Sequence, residues 1–224
     1  MTAGGATWFC ARIASALCRL RPVAILAQNQ VAPPAVMITS VGSEIYHRIH
    51  GGVYARDDAW TAIIDAGWDR AAIAALLAEQ GELRPQSPLE QRSHKLSYFT
   101  GGEPDIAERI RDLLAGAGFA ASVIHSHGRY LDILPLAASK WTAVDYVRRR
   151  AQMRRDQVIV AGDSGNDVEM LRACAHAIIV GNYSDGLAQR PDLAHSYVAR
   201  RGYAFGIMEG VAHFRGQPAQ RLSA

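Results

Sequence analysis

Val158-Ile159-Val160-Ala161-Gly162-Asp163-Ser164-Gly165-Asn166-Asp167 is an apolar run that stops at a turn carrying two carboxylates. A continuous apolar stretch rich in β-branched residues reads as a buried strand of a parallel sheet, because such strands are covered on both faces and do not alternate. Gly162 and Gly165 let the chain turn at the carboxyl end of that strand. Asp163 then lies where a carboxylate can reach a cation in the crevice, and Asp167, four residues on, opens the next helix. A hard cation such as Mg²⁺ takes one or two carboxylates plus water and substrate oxygens, which this spacing supplies. The same spacing, taken alone, also suits a turn residue followed by a helix cap.

Outward from this turn the chain alternates. Lys140 to Arg150 reads as a helix, Val158 to Ala161 as a strand, Asp167 to Ala173 as a helix, and Ala177 to Val180 and Tyr197 to Ala199 as further strands. Such alternation implies a parallel sheet. Upstream, Val36 to Val41 reads as a strand ended by Gly42-Ser43, and Val23 to Gln30 as a short helix closed by Pro33-Pro34. From Asp57 to Gln80 the apolar spacing predicts helices interrupted near Gly67, with Asp69 as an N-cap and Gly81 as the stop. Lys95 to Phe99 predicts a strand, Pro104 to Gly116 a helix, and Ala121 to His125 with Tyr130 to Leu134 a hairpin. The expected fold is α/β, a Rossmann-like parallel-sheet core of residues 1–45 and 131–224, with 1–22 atypical, and an inserted α+β cap over 46–130. Crevices at the carboxyl ends of parallel strands are where such folds bind ligands.

The chain has 224 residues, 49% of them apolar and 20% charged, with a formal net charge of +3. That is enough to bury a sizeable core. No basic run is interleaved with aromatics, so no nucleic-acid partner is expected. Cys10, Cys18 and Cys174 lack metal-type spacing and fit a reducing compartment, so a cytoplasmic location is expected. The early apolar stretch Val23 to Ala27 is too short for a secretory core or a membrane span; no leader and no membrane association are expected. None of the eight histidines has a zinc-like partner spacing. Neither Ser43 nor Ser164 sits in a nucleophile elbow, which disfavours a serine hydrolase.

Leu134-Pro135-Leu136-Ala137-Ala138-Ser139-Lys140 is the second candidate. A lysine in the first turn of a helix opposes the local dipole, and an anion held nearby removes that conflict. An exposed lysine at the same place is otherwise a neutral surface residue.

At these residues the chain resembles the haloacid-dehalogenase-like hydrolases, and within them the sucrose-phosphate phosphatase branch, including the phosphatase-like C-terminal domain of bacterial sucrose-phosphate synthase. The resemblance runs from about Val23 to Arg215. It is carried by Ile38 to Tyr46, by Pro85-Gln86-Ser87-Pro88-Leu89-Glu90-Gln91, by Lys95-Leu96-Ser97-Tyr98, by Asp132-Ile133-Leu134-Pro135 through Lys140, by the Gly-Asp-Ser-Gly-Asn-Asp run, and by Gly206 to Gly210 with His213-Phe214. The resemblance implies that Asp163 and Asp167 serve a Mg²⁺ site, that Lys140 holds the substrate phosphate, and that Asn166 orients substrate or metal ligands. It further implies that Gln91, Lys95 and Asp132 of the cap face the hydroxyls of a small-molecule sugar phosphate.

One part of the family pattern is missing. The family attacks phosphorus with an aspartate on the first core strand, helped by a second aspartate two residues later. Here no acidic residue precedes Glu44, and the first aspartate is Asp57. The threonine or serine that binds the phosphoryl oxygen in the family is likewise absent. This composition suggests that the first residues are foreign, through a shifted frame or a wrongly chosen start, rather than a drifted strand of an inactive descendant. Thr7 to Ala11 is a candidate substitute strand, with Ala14 to Leu20 as a helix after it.

The expected function is therefore Mg²⁺-dependent hydrolysis of a sugar phosphate, sucrose 6-phosphate by resemblance, with turnover impaired for want of the nucleophile. A non-catalytic sugar-phosphate-binding module, associated or once fused with a glycosyltransferase such as sucrose-phosphate synthase, is the alternative. A phosphatase for another phosphorylated disaccharide is a third reading.

Overall fold

The computed structural model of the protein describes residues 33–184 and 186–216, together with the backbone of 13–14. The expected strand over 7–11 and the helix over 23–30 lie outside the described residues, as does the helix over 14–20 apart from Ala14, which is in a strand. The described residues fall into two compact units, one within 11–146 and one within 147–224.

The unit within 147–224 is built on a parallel sheet. Its strands are Ile159–Gly162, His176–Ile179 and Tyr197–Val198, here β9, β10 and β11, in the order β11-β10-β9. Ile159 pairs with His176 and Gly162 with Ile179, so β9 and β10 end level with each other at the Asp163 turn. Val160, Ala177, Ile178 and Ile179 are buried, as in a parallel strand pair covered on both faces. Two helices complete the unit, Val168–Ala173 and Tyr203–Phe214. The second is tied back by Glu209, whose carboxylate accepts from the Arg200 and Arg201 backbone N–H groups and from the Tyr197 hydroxyl.

The unit within 11–146 holds two sheets. The first runs β1 (Ile13–Ala14), β2 (Val36–Thr39), β3 (Glu44–Arg48), β4 (Tyr54–Arg56), with β1 parallel to β2 and the others antiparallel. The β3–β4 hairpin was not expected from sequence. Its turn carries Gly51 and Gly52, both at φ 75°, and neither flanking segment alternates cleanly enough to announce a strand. The expected strand from Val36 to Val41 ends early at Thr39, because Ser40 and Val41 take left-handed backbone angles of 51° and 60°. A β-branched residue there is a genuine outlier.

The second sheet has the order β5 (Arg84–Pro85), β6 (Leu96–Phe99), β8 (Tyr130–Pro135), β7 (Ala121–Ser126), all antiparallel. Helices α2 (Arg70–Ala78) and α3 (Ile106–Gly116) supply the rest of its core: Ile73 and Leu77 from one, Ile106, Ile110 and Leu114 from the other, pack with Leu96, Tyr98, Leu131 and Ile133. The four-residue spacing on α3 makes one apolar stripe. Helix α1 (Asp58–Asp65) precedes α2, and the break between them falls at Gly67 as expected, with the Asp69 carboxylate accepting from the Ala72 N–H at 2.9 Å. Helix α4 spans Lys140–Arg150, with the bounds expected from sequence. The β7–β8 turn also falls where expected, with His127 and Gly128 at positive φ.

Asp57 is the buried N-cap of α1 and carries a test. Its carboxylate accepts from the Trp60 N–H at 2.9 Å and from the Tyr146 hydroxyl at 3.0 Å, and pairs with His47 Nε2 at 2.8 Å. Burial pushes its pKa up, but these hydrogen bonds outweigh burial and hold it below the ordinary carboxylate value. A depressed folded-state pKa contributes stability that is present above the unfolded value of about 3.9 and is lost as pH falls through the folded value. Asp57→Asn is therefore expected to lower the urea midpoint at pH 7 and to flatten the loss of stability below about pH 4. An unchanged acid limb in urea titrations from pH 6 to pH 2 would contradict this.

Candidate active site

The Asp163 turn is braced by hydrogen bonds among its own residues. The Asp167 Oδ2 accepts from the backbone N–H of Asp163 at 3.1 Å and of Ser164 at 3.3 Å, while the Ser164 hydroxyl donates to Asn166 Oδ1 at 3.0 Å. Asp167 and Ser164 are buried; Asp163 is exposed. Gly162 is required by this arrangement, since a Cβ on it would lie 2.5 Å from the Asp167 Cβ. Outside contacts hold the start of the turn: Val180 N–H donates to Gly162 O and Ser184 N–H to Asp163 O. Asp163, Asn166 and Asp167 are thus brought together on one loop, beside a cavity of about 260 Å³ lined by Gly165, Val168, Ser184, Gly186, Leu187 and Arg190. The helix expected from Asp167 begins one residue later, after a 3₁₀ turn over Gly165–Asp167. The donor set suits a hard cation: carboxylate oxygens, one of them exposed. Among the described residues no three His, Cys, Asp or Glu side chains gather as metal ligands, so Mg²⁺ here would rest on these carboxylates together with water and substrate oxygens.

Lys140 lies in the other unit, as the first residue of α4, and is buried. It is not the solvated surface lysine that the sequence alone also allowed. Ser139 and Thr142 cap the helix reciprocally: the Thr142 N–H donates to Ser139 Oγ at 3.1 Å and the Ser139 N–H to Thr142 Oγ1 at 2.8 Å. The Ser40–Gly42 turn presses against this cap. A Cβ on Gly42, whose φ is 99°, would lie 2.1 Å from the Ser139 carbonyl oxygen and 2.8 Å from the Lys140 backbone nitrogen. The Gly42 carbonyl in turn accepts from the buried Trp60 Nε1–H at 3.0 Å.

The three predicted sugar-facing residues gather around Ser97. Lys95 Nζ lies 3.3 Å from Asp132 Oδ1, and the Ser97 hydroxyl donates to the same oxygen at 2.6 Å. The Lys95 side chain is 4% exposed and that of Asp132 15%, so both charges sit largely out of water and need each other. The Gln91 amide donates to Ser97 O at 2.8 Å and to Gln86 O, and accepts from Ser97 N–H at 3.1 Å. Gln91 thereby completes the backbone pairing of β6 as an added strand would.

Residues to which the sequence reading assigned no site role line a second cavity of about 290 Å³: Glu44, Arg70, Pro88, Leu89, Arg92 and Ser93, together with Gln91. Glu44 is buried, and its Oε2 accepts from the hydroxyls of Thr39 and Ser40 at 3.2 and 3.0 Å, with Arg92 Nε at 3.8 Å. Arg92 Nε is buried without a hydrogen-bond partner. The available signal was a lone acid three residues after the apolar segment Val36 to Val41, where a glutamate is seldom buried unless paired. The described histidines are satisfied locally in several cases, His47 by Asp57, His94 by Asp65, His125 by Thr100 and His195 by the carbonyls of Leu171 and Cys174. Cys174 is buried with a free thiol.

Comparison with known proteins bears on this geometry. The model of the family described as sucrose-6F-phosphate phosphohydrolase matches residues 20–215. A Nitrosococcus oceani protein assigned to the HAD-like hydrolases is 34% identical over 206 residues, covering 81% of this chain and 55% of its own length. Sucrose-phosphatase 1 of Nicotiana tabacum is 31% identical over 201 residues, covering 84% of this chain and 46% of its own. The structure of the Synechocystis sucrose-phosphatase in complex with sucrose and phosphate superposes with a TM-score of 0.79 at 31% identity, covering 87% of this chain and 80% of that one. The chain spans about half the length of the curated relatives it matches. The shared architecture is a Rossmann-like core with a cap, as expected from the alternation of elements.

Proposed function

The chain belongs to the sucrose-6F-phosphate phosphohydrolase family, and from that premise we propose that it is a Mg²⁺-dependent phosphoric monoester hydrolase domain for a sugar phosphate, sucrose 6-phosphate, whose turnover is impaired. The observation that carries the reading is the likeness, at a TM-score of 0.79, to a structure holding sucrose and phosphate. In this reading Asp163 and Asp167 hold the metal, which supplies charge neutralisation at the phosphoryl group. Asn166 orients the same ligands. Lys140 holds the phosphate, and its burial at a capped helix start is consistent with that role, because an anion relieves the conflict between an ammonium and the helix dipole. Residues 46–130 form the cap, in which Lys95, Asp132 and Gln91 shape the sugar side, and the Glu44, Arg70 and Arg92 cavity offers the planar polar groups that recognise hydroxyls. The proposal extends to a cytoplasmic location and to association with the glycosyltransferase that makes the sugar phosphate.

The impairment follows from composition. A carboxylate nucleophile splits phosphoryl transfer into two easier steps, and no acid precedes Glu44 in this sequence. The test is phosphate release from sucrose 6-phosphate with Mg²⁺, beside calorimetric titration of the same pair. Binding with release at background is expected. Turnover at ordinary enzymatic rates, about 1–1,000 per second, would refute the impairment; absence of binding would refute the site.

A further inference from the structure

The short segment between Gln91 and Lys95 has little regular structure of its own. Arg92 and Lys95 form an isolated bridge, with the Arg92 N–H donating to Lys95 O at 2.9 Å. What holds the segment is the elbow between α1 and α2. Trp68 Nε1–H donates to Ser93 O at 2.8 Å, Arg70 Nε–H donates to Arg92 O at 2.8 Å, and His94 Nε2 lies 2.8 Å from Asp65 Oδ1. Successive residues of the segment are therefore each gripped by the elbow. The His94 ring is buried, and its Nδ1 faces Arg56 Nη2 at 3.4 Å. A guanidinium only donates, so Nδ1 accepts and Nε2 carries the hydrogen given to Asp65. The elbow is itself defined locally: Gly67 at φ 75° makes its bend and the Asp69 cap starts α2.

We propose that this elbow is a positioning device for sugar recognition, with Trp68 and Asp65 setting where Gln91 and Lys95 stand and so the selectivity for the sugar over bare phosphate. The inference rests on the proposed function, in which Gln91 and Lys95 face the sugar. Neither Trp68 nor Asp65 lines the cavity, so each acts through the segment it grips. The Gln91 carboxamide pairs at both of its ends with the Ser97 backbone, so a shift of the gripped segment next to it would strain or break those two bonds.

The test is calorimetric titration of the full chain with sucrose 6-phosphate and, separately, with inorganic phosphate, both with Mg²⁺. Trp68→Phe keeps an aromatic ring, smaller than the indole, and removes the donor; Asp65→Ala removes the acceptor, whereas Asp65→Asn retains one. Trp68→Phe and Asp65→Ala should each weaken the sugar phosphate roughly fivefold, the effect of one lost hydrogen bond, with inorganic phosphate unchanged and Asp65→Asn close to the parent. Equal losses for both ligands, or no loss for either, would reduce the elbow to a structural support and overturn the proposal. If the parent chain binds neither ligand, the functional reading is what fails. The elbow is then judged by hydrogen exchange at the Ser97 amide, which Gln91 Oε1 protects: Trp68→Phe must speed it about fivefold, and unchanged exchange overturns the positioning claim.

Discussion

Gly42→Ala is expected to lower stability by about 3 kcal/mol and the melting temperature by roughly 6–12 °C, and to weaken inorganic phosphate binding more than tenfold. Two costs combine. Alanine at φ 99° pays the left-handed penalty, and its Cβ meets the Ser139 carbonyl at 2.1 Å, a backbone atom that cannot rotate away. Relief requires the Ser40–Gly42 turn or the start of α4 to move, and Lys140 moves with the latter. Gly51→Ala is the control, because Gly51 has φ 75° with nothing within 4 Å of a built Cβ. It should cost only about 1–2 kcal/mol and leave phosphate binding unchanged. Equal unfolding midpoints and equal phosphate affinities for the two variants would show that the close approach of Gly42 to the helix start does not hold.

Asp132→Ala should destabilise the chain by about 3–5 kcal/mol, because it leaves the Lys95 ammonium buried without its counter-charge. Asp132→Asn should cost less, since the amide oxygen still accepts from the Ser97 hydroxyl. Replacing both partners, Lys95→Met with Asp132→Leu, should recover most of the loss, as removing a buried pair together abolishes the unpaired charge. Denaturant unfolding of the three variants measures this. A cost below about 1 kcal/mol for Asp132→Ala would mean that water reaches Lys95 and that the pair behaves as a surface ion pair. The double variant carries a second readout: if the pair serves the sugar, it should fold well and bind sucrose 6-phosphate poorly.

Much of the secondary structure was legible because its signals are short-range. The apolar stretch before Gly162 gave a strand, the four-residue apolar spacing around Ile110 gave a helix, and Asp69 gave a cap, each from neighbours within one or two turns. The β3–β4 hairpin escaped because its strands are short and only partly buried. The early stop of β2 escaped because Ser40 and Val41 take left-handed angles that residue preference does not announce; valine seldom adopts them.

The sequence by itself determined the parallel strands, the carboxylate turn at Asp163 and Asp167, the bounds of α4 and the want of early acids, since each is written in contiguous residues. Only the tertiary structure decided that Lys140 is buried, that Gly42 packs against the backbone at the start of its helix, that Gln91 spends its amide on the Ser97 backbone, and that Glu44, Arg70 and Arg92 line one cavity. Those facts depend on partners far apart in the chain, such as Lys95 with Asp132 at a separation of 37 residues and Arg56 with His94 at 38. Local periodicity reports which face of an element is apolar; the partner of a buried charge is chosen only when elements pack, because desolvation makes an unpaired charge too costly to keep.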